Sequence, residues 1–391
     1  MRNLSETADE MATTCDILVV GAGIAGASAA YELAKGAKVI VLERESHPGY
    51  HTTGRSAALF TELYGNETIR KLTSAGREFF ESPPGYFGEY PLTSPRGTLF
   101  LARDDQLASV RNAIPSEKTK SCNVVEVDGA GARRLIPALR SENVVAGVYE
   151  PSARDIDVNA VHMGYIAGLR LRKGSLEFNA EVAAIERANG IWNVYSSAGS
   201  FEAPVLVNAA GAWCDEIASL AGVPKRGLVP KRRTAFVFDP PADASVENWP
   251  AAIDIDEQFY FKPDAGLLLG SPADETPSPP CDAQPEEIDV ATGIYRIEQA
   301  AKFSIRRPKR TWAGLRTFAA DKSPIVGMDP WASGFFWLAG QGGYGIQTSP
   351  ALARAASGLV LEQSLPRDLV ARGLSQSELA PDRLALKPTK E

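Results

Sequence analysis

An α/β fold with an antiparallel-sheet insert is what this 391-residue sequence predicts, on three observations. A strand–helix–strand pattern fills residues 16–42, short strands punctuated by turn residues occupy the middle, and glycine-rich turns follow strands near both ends. Residues 16–20 (DILVV) and 39–42 (VIVL) are short, apolar and β-branched, as strands buried on both faces are. Residues 24–35 between them favour helix, and Gly36 is expected to stop that helix in a left-handed turn. Two parallel strands joined by one helix within about thirty residues make a βαβ unit.

Further along, residues 158–172 read as a helix, with Asp155 or Asp157 at its N-cap. Residues 205–211 (VLVNAAG) form an apolar strand ending in small residues, and residues 231–270 look like antiparallel sheet. In FYFKPDAGLLL a Pro-Asp-Ala-Gly turn separates two strands. Residues 271–289, rich in Pro, Asp and Glu, read as a loop. Strands at 311–318 and 334–339 then precede a glycine loop, 342–345, and a closing helix at about 349–363. No fixed-period repeat or low-complexity tract is present, which disfavours a solenoid or propeller.

The length favours two domains. A net charge of -7 argues against a nucleic-acid partner, and the two basic runs, 231–233 and 306–310, are short. Cys15, Cys122, Cys214 and Cys281 lie far apart with no histidine cluster near them. Neither a metal site nor a disulfide framework is expected, and a reducing, cytoplasmic compartment is the simpler reading. Residues 1–13 carry Glu6, Asp9 and Glu10 without an apolar core, so they read as a flexible tail rather than a secretory signal. The uncharged stretch at residues 17–31 is too short and glycine-rich for a membrane span.

The chemistry starts at Gly21-Ala-Gly23-Ile24-Ala25-Gly26, between a strand and a helix. There the first glycine permits the turn, the second the approach of a pyrophosphate, and the third close helix–strand packing. Glu43 ends the second strand, where an acid binds a ribose hydroxyl. Three further features favour FAD over NAD, although each taken singly is also an ordinary glycine turn. Gly54-Arg55-Ser56-Ala57 places small residues and an arginine near a second phosphate. Residues 205–211 let a backbone pass close to a nucleotide. The segment Gly342-Gly343-Tyr344-Gly345-Ile346 precedes the last helix, so its amides face the pyrimidine edge of a reduced flavin.

The strings GAGIAG, VLERE, GYHTTGRSAA, VLVNAAGAWCD, PKRRTAF, FYFKPDAG, TWAGLR and GGYGIQTS resemble the D-amino-acid oxidase (DAO) superfamily. Within it they are most similar to the bacterial D-arginine dehydrogenases, over nearly all of the chain beyond residue 13. The resemblance implies a Rossmann-like FAD-binding domain over 14–96, 155–224 and 312–366, interleaved with an antiparallel-sheet substrate domain over 97–154 and 225–311, as in glycine oxidase. It implies noncovalent FAD; residues 282–391 hold no cysteine for the covalent attachment found in related sarcosine oxidases. Arg44, Thr53, Ala210, Trp213 and Gln347 join the cofactor set on the same basis. The implied reaction is oxidation of a D-amino acid to an imino acid by hydride transfer from Cα to flavin N5, with hydrolysis to a keto acid and ammonia. The partners would be that small substrate and an electron acceptor: a quinone, an electron-transfer protein or dioxygen.

Carried onto this sequence, Arg316 in TWAGLR matches the arginine that holds the substrate carboxylate, a role suited to a planar, bidentate guanidinium. By period-2 alternation it shares a face with Trp312 and Gly314, away from Leu315. Arg233 matches a second active-site arginine, while Tyr260 and Tyr64 match tyrosines about the substrate. Without the resemblance, a surface arginine and core aromatics are equally good readings. The sequence departs from the arginine-specific pattern at Leu59, in place of a histidine, and at Thr98, in place of the glutamate that pairs with a guanidinium. Arginine is therefore not the expected substrate. Glu62 is either a replacement acid or, more simply, a solvated glutamate. No general base is assigned, since His47, His51 and His162 fall in the flavin loop or in a helix. An N-substituted amino acid, a glycine-like imino acid or a 2-hydroxy acid on the same fold, and a nucleotide-binding protein without amine chemistry, are the competing readings.

Overall fold

The β-branched runs become the central strands of a six-stranded sheet in the computed structural model, which describes residues 12–113 and 123–384. Cys122 and residues 1–11 of the expected tail lie outside the described residues; Thr13, also assigned to that tail, is instead paired beside Phe201. The strand order is Ser175–Glu177, Val39–Leu42, Ile17–Val20, Val205–Asn208, Phe335–Ala339 and Ile325–Met328, parallel except for the last pair. Both faces of Ile17–Val20 are covered. Ile17 and Val19 pack with Ala29, Ala30 and Leu33 of one helix and Ala351 and Ala355 of another. Leu18 and Val20 pack against Trp192, Phe335 and Trp337. Burial on both sides is why these strands read as unbroken apolar runs.

The helix between the first two strands spans Ile24–Leu33, and its C-cap Ala34 has φ -68° and ψ 0°. Gly36 therefore does not stop it in a left-handed turn; space is what Gly36 provides, since a Cβ there would lie 3.3 Å from Leu361 Cδ1. The helix Val158–Leu171 is capped by Asp157, whose Oδ1 accepts from Ala160 N at 2.8 Å. Asp155 instead accepts from Arg96 and Lys262, both at 2.6 Å.

A nine-stranded sheet forms the second layer. Val229–Phe238 pairs antiparallel with Arg310–Phe318 from Val229 to Val237. Tyr260–Asp264 and Leu267–Ser271 form the expected hairpin, in which Ala265 and Gly266 both take positive φ, as a tight primed turn requires. The sheet is mixed rather than wholly antiparallel, because Ala251–Asp254 runs parallel to Thr98–Ala102, a strand distant in sequence. Residues 271–289 are not all loop. Thr276–Pro277 adds to the sheet edge at Lys231 and Arg232. A helix, Glu287–Ala300, starts within the acidic stretch and buries Gly293, Ile297 and Ala300.

The closing helix begins at Gly345, four residues before its expected start, and runs to Ser357. Pro350 lies inside it and has no N–H to offer the Ile346 carbonyl. The Ser349 hydroxyl donates to that carbonyl instead, at 2.9 Å. Among the described residues no helix is long and apolar enough to cross a membrane, and no cluster of acidic, histidine or cysteine side chains could hold a metal ion.

Candidate active site

One long cavity runs between the two sheets, lined by residues from Val20 to Gln347. All the residues expected to hold the cofactor line it except Gly26, Gly54 and Tyr344. Those three act from behind the wall. A Cβ on Gly26 would fall 1.8 Å from Gly21 O, so only glycine lets the helix meet the turn. Gly54 closes onto Gly49 O, which accepts from Gly54 N at 2.7 Å. Tyr344 packs edge-on against Tyr64, with ring centroids 4.9 Å apart.

Several features of the wall suit a dinucleotide. Gly21 takes φ +99°, and a Cβ there would strike Ala209 O at 2.6 Å. Gly211 takes φ +59° with open space where a side chain would stand. The helix Ile24–Leu33 opens at the cavity with no side-chain cap from its N-cap residue Gly23 and no acid in its first turn, although the Thr53 hydroxyl accepts from Ile24 N at 2.9 Å; this arrangement favours phosphate. The helix from Gly345 opens there in the same way. Glu43 is buried and held in place, Oε2 accepting from Ala22 N at 2.9 Å and Oε1 from Glu45 N at 3.0 Å. The Arg44 guanidinium lies 5.0 Å from the Trp213 ring centroid, and His51 packs on the same ring.

Arg55 is placed differently from the expectation. It lines the cavity, but its guanidinium donates to Ala283 O and Ala313 O and pairs with Asp282, so it is committed elsewhere than to a phosphate. The Gln347 side chain is likewise bound to Thr73 Oγ1 at 2.9 Å. Thr52, not singled out from sequence, donates to Leu315 O at 2.6 Å and ties the flavin loop to the strand of Arg316.

Another part of the wall gathers Arg316, Arg233, Tyr64 and Tyr260. Strand register accounts for the two arginines. Arg233 stands opposite Gly314 and Arg316 opposite Lys231, so both project from one face as diagonal neighbours. Leu315 turns the other way, into a cluster with Ala212 and Ala313. The Arg316 guanidinium packs against Gly343, where a Cβ would lie 2.7 Å from Nη1. Nη1 donates to the Tyr64 hydroxyl at 3.4 Å. Burial works against the charge of Arg316, but the phenols of Tyr64 and Tyr260 outweigh it and hold the group above its ordinary value. Burial pushes the Tyr64 phenol up more than Arg316 draws it down, so it stays neutral. Among the described residues no carboxylate pairs with Arg316. Arg233 is better provided: Nε donates to Asp274 O at 2.8 Å and Glu275 stands 3.7 Å away.

The departures from the arginine-specific pattern fall in two places. Leu59 lines the cavity. Thr98 does not; it is fully buried and its hydroxyl has no partner. Glu62 is neither solvated nor in the cavity, for it is buried against Arg77 at 2.6 Å. An acid that sequence reading overlooked, Glu257, does face the cavity and accepts from the Tyr64 hydroxyl at 3.4 Å. Its only sequence signal is a place in a polar turn before FYFKP.

A model of the DAO family, described as FAD dependent oxidoreductase, matches residues 16–359. The chain belongs to this family. Its cofactor is accordingly FAD, which the cradle of Gly21, Gly26 and Gly211 fits. Mouse mitochondrial dimethylglycine dehydrogenase is 24% identical over 390 residues, covering 94% of this chain. The chain spans only 44% of the length of that relative. Among solved structures, L-proline dehydrogenase from P. horikoshii superposes with a TM-score of 0.81 at 21% identity, covering 95% of this chain and 98% of the other. Glycine oxidase from Geobacillus kaustophilus gives 0.80 at 19% identity, covering 93% and 99%. At these identities the structural likeness establishes the shared DAO fold.

Proposed function

We propose that this DAO-family protein oxidises an α-amino acid at its Cα–N bond, a D-amino acid in the first instance, to an imino acid that water converts to a keto acid and ammonia. Arg316 carries the reading: a guanidinium that faces the cavity, stays charged, and pairs with no protein carboxylate. A substrate carboxylate supplies that partner through two parallel N–H···O bonds. Tyr64 and Tyr260 line the same cavity, and Arg233 adds a second positive charge on the same face of the sheet. FAD, when bound, supplies the hydride acceptor. The contribution of the chain is to hold one end of the substrate so that Cα is presented in one orientation, which removes much of the entropic part of the barrier.

The resemblance of the strings around Arg233, Tyr260 and Arg316 to those of the bacterial D-arginine dehydrogenases supports the D-configuration. Thr98 offers no charge to a guanidinium, so a substrate with a neutral side chain is proposed rather than arginine. A second reading, an N-substituted glycine, is favoured by the similarity to dimethylglycine dehydrogenase. Both are tested by adding D-amino acids, L-amino acids, N-methylated glycines and 2-hydroxy acids anaerobically to the FAD-loaded protein and recording flavin bleaching. Bleaching by D-amino acids supports the first reading and by N-methylglycines the second. A yellow protein bleached by neither overturns both. Reoxidation of the bleached enzyme by air, set against a quinone, assigns the electron acceptor.

A further inference from the structure

Glu257 sits where a glutamate is conformationally costly. It lies in the turn between the strands Ala251–Asp254 and Tyr260–Asp264, and its φ is +57°. Side chains other than glycine and asparagine seldom take that conformation, and surrounding structure has to impose it. Asp254 imposes it here. Its buried carboxylate accepts from Asp256 N at 3.1 Å and Gln258 N at 3.2 Å. Gln106 and Arg103 hold that carboxylate from the other side. The strained turn thus directs the Glu257 carboxylate at the cavity beside Tyr64.

The charges of this part of the wall can be balanced one by one. Arg233 has Glu275 and the Asp274 carbonyl as partners. Arg316 and Glu257 are the two groups without an opposite charge among the described residues, and they are linked only through the Tyr64 hydroxyl, which accepts from one and donates to the other. One positive and one negative group, a single phenol oxygen apart, match a molecule whose own opposite charges sit on two groups bonded to one carbon. That molecule is a zwitterionic amino acid.

We propose that Glu257 receives the substrate amine as its ammonium, while Arg316 takes the carboxylate, so that the cavity selects zwitterions over 2-hydroxy acids. The assignment rests on the amino-acid reading above. A hydroxyl in place of an ammonium gives the carboxylate a hydrogen bond but no opposite charge, and the isosteric amide of glutamine keeps the shape of Glu257 while removing its charge.

The test uses the FAD-loaded protein and two variants, Glu257→Gln and Glu257→Asn, the second keeping a residue at ease with positive φ. Two ligands are titrated by flavin absorbance: the amino acid that bleaches the wild type, and benzoate, a carboxylate without an amine. Both variants are expected to bind the amino acid at least about tenfold more weakly, with benzoate bound as well as, or better than, by the wild type. Equal weakening of both ligands overturns the assignment, since it marks collapse of the turn; so does unchanged amino-acid binding. If no amino acid bleaches the wild type, the functional reading falls first and the role of Glu257 with it. If the wild type is bleached and the variants bind equally well, only the role of Glu257 falls.

Discussion

A charged guanidinium inside a cavity, with tyrosines but no carboxylate about it, is stable only if something anionic completes it. Arg316 is in that position, so its removal should be felt by the substrate and not by the cofactor. Arg316→Ala is expected to keep the yellow flavin spectrum and to lower kcat/KM by at least about 100-fold, in line with the 2–5 kcal/mol typical of truncating a buried charge partner. Arg316→Lys restores the charge without the planar fork and should recover only part of the loss. An alanine variant that binds substrate as tightly as the wild type rejects the carboxylate role. The face on which Arg316 stands was legible in the sequence because a strand has period two and its neighbours, Leu315 turned into the Ala212–Ala313 cluster and Gly314 two residues away on the cavity side, fix it. Arg55 was not. Its backbone position is as expected, but a long flexible side chain reaches any of several acceptors, and it found Ala283, Ala313 and Asp282. Glu62 misled for the converse reason: its partner, Arg77, belongs to a helix whose packing no local pattern reveals.

Elements were legible where one physical constraint dominates. The first βαβ unit declares itself because burial on both faces demands apolar strands and the turn demands glycine. Within that turn the glycines are unequal. A Cβ on Gly26 meets Gly21 O at 1.8 Å, a backbone atom that cannot retreat without moving the strand. A Cβ on Gly23 meets only the Thr53 hydroxyl, at 3.4 Å. Gly26→Ala is therefore expected to melt well below Gly23→Ala when both are compared without FAD, although both should bind FAD more weakly than the wild type. Equal melting temperatures would show that the turn can shift to admit the methyl group. The closing helix was placed late because its first turn, Gly345-Ile346-Gln347, borrows the glycine that reads as loop. The helix Glu287–Ala300 was missed because only three of its residues are buried, too narrow a stripe to show through an acidic, proline-flanked stretch.

The assembly of the two sheets was not readable locally, since Ala251–Asp254 meets Thr98–Ala102 across about 150 residues of sequence. The cavity between the sheets is consequently a property of the whole chain, and a ligand bound along it stabilises everything that lines it. One buried group connects this assembly to pH. His162, on the helix Val158–Leu171, donates from Nε2 to the carbonyl of Ala22 at 2.8 Å, inside the phosphate turn. Burial lowers its pKa below the ordinary 6.5, although the Ala22 carbonyl pulls the other way. The unfolded chain then binds a proton on acidification before the folded one does, so stability is lost as pH falls from about 6.5, at no more than about 1.4 kcal/mol per pH unit for one group. Buried Glu150 has the opposite sign: desolvation raises its pKa, and its contribution is present at acid pH and lost as pH rises through that raised value. A double comparison separates the two. His162→Gln keeps a donor for Ala22 but cannot titrate, and the melting temperatures of wild type and variant are to be measured with FAD from pH 7.5 down to 5.5. The wild type is expected to fall more steeply than the variant below about pH 6.5, with flavin release accompanying the fall because Ala22 lies between Gly21 and Gly23. Parallel curves would mean that His162 takes up its proton alike in both states, and that the acid sensitivity of the cofactor site arises elsewhere.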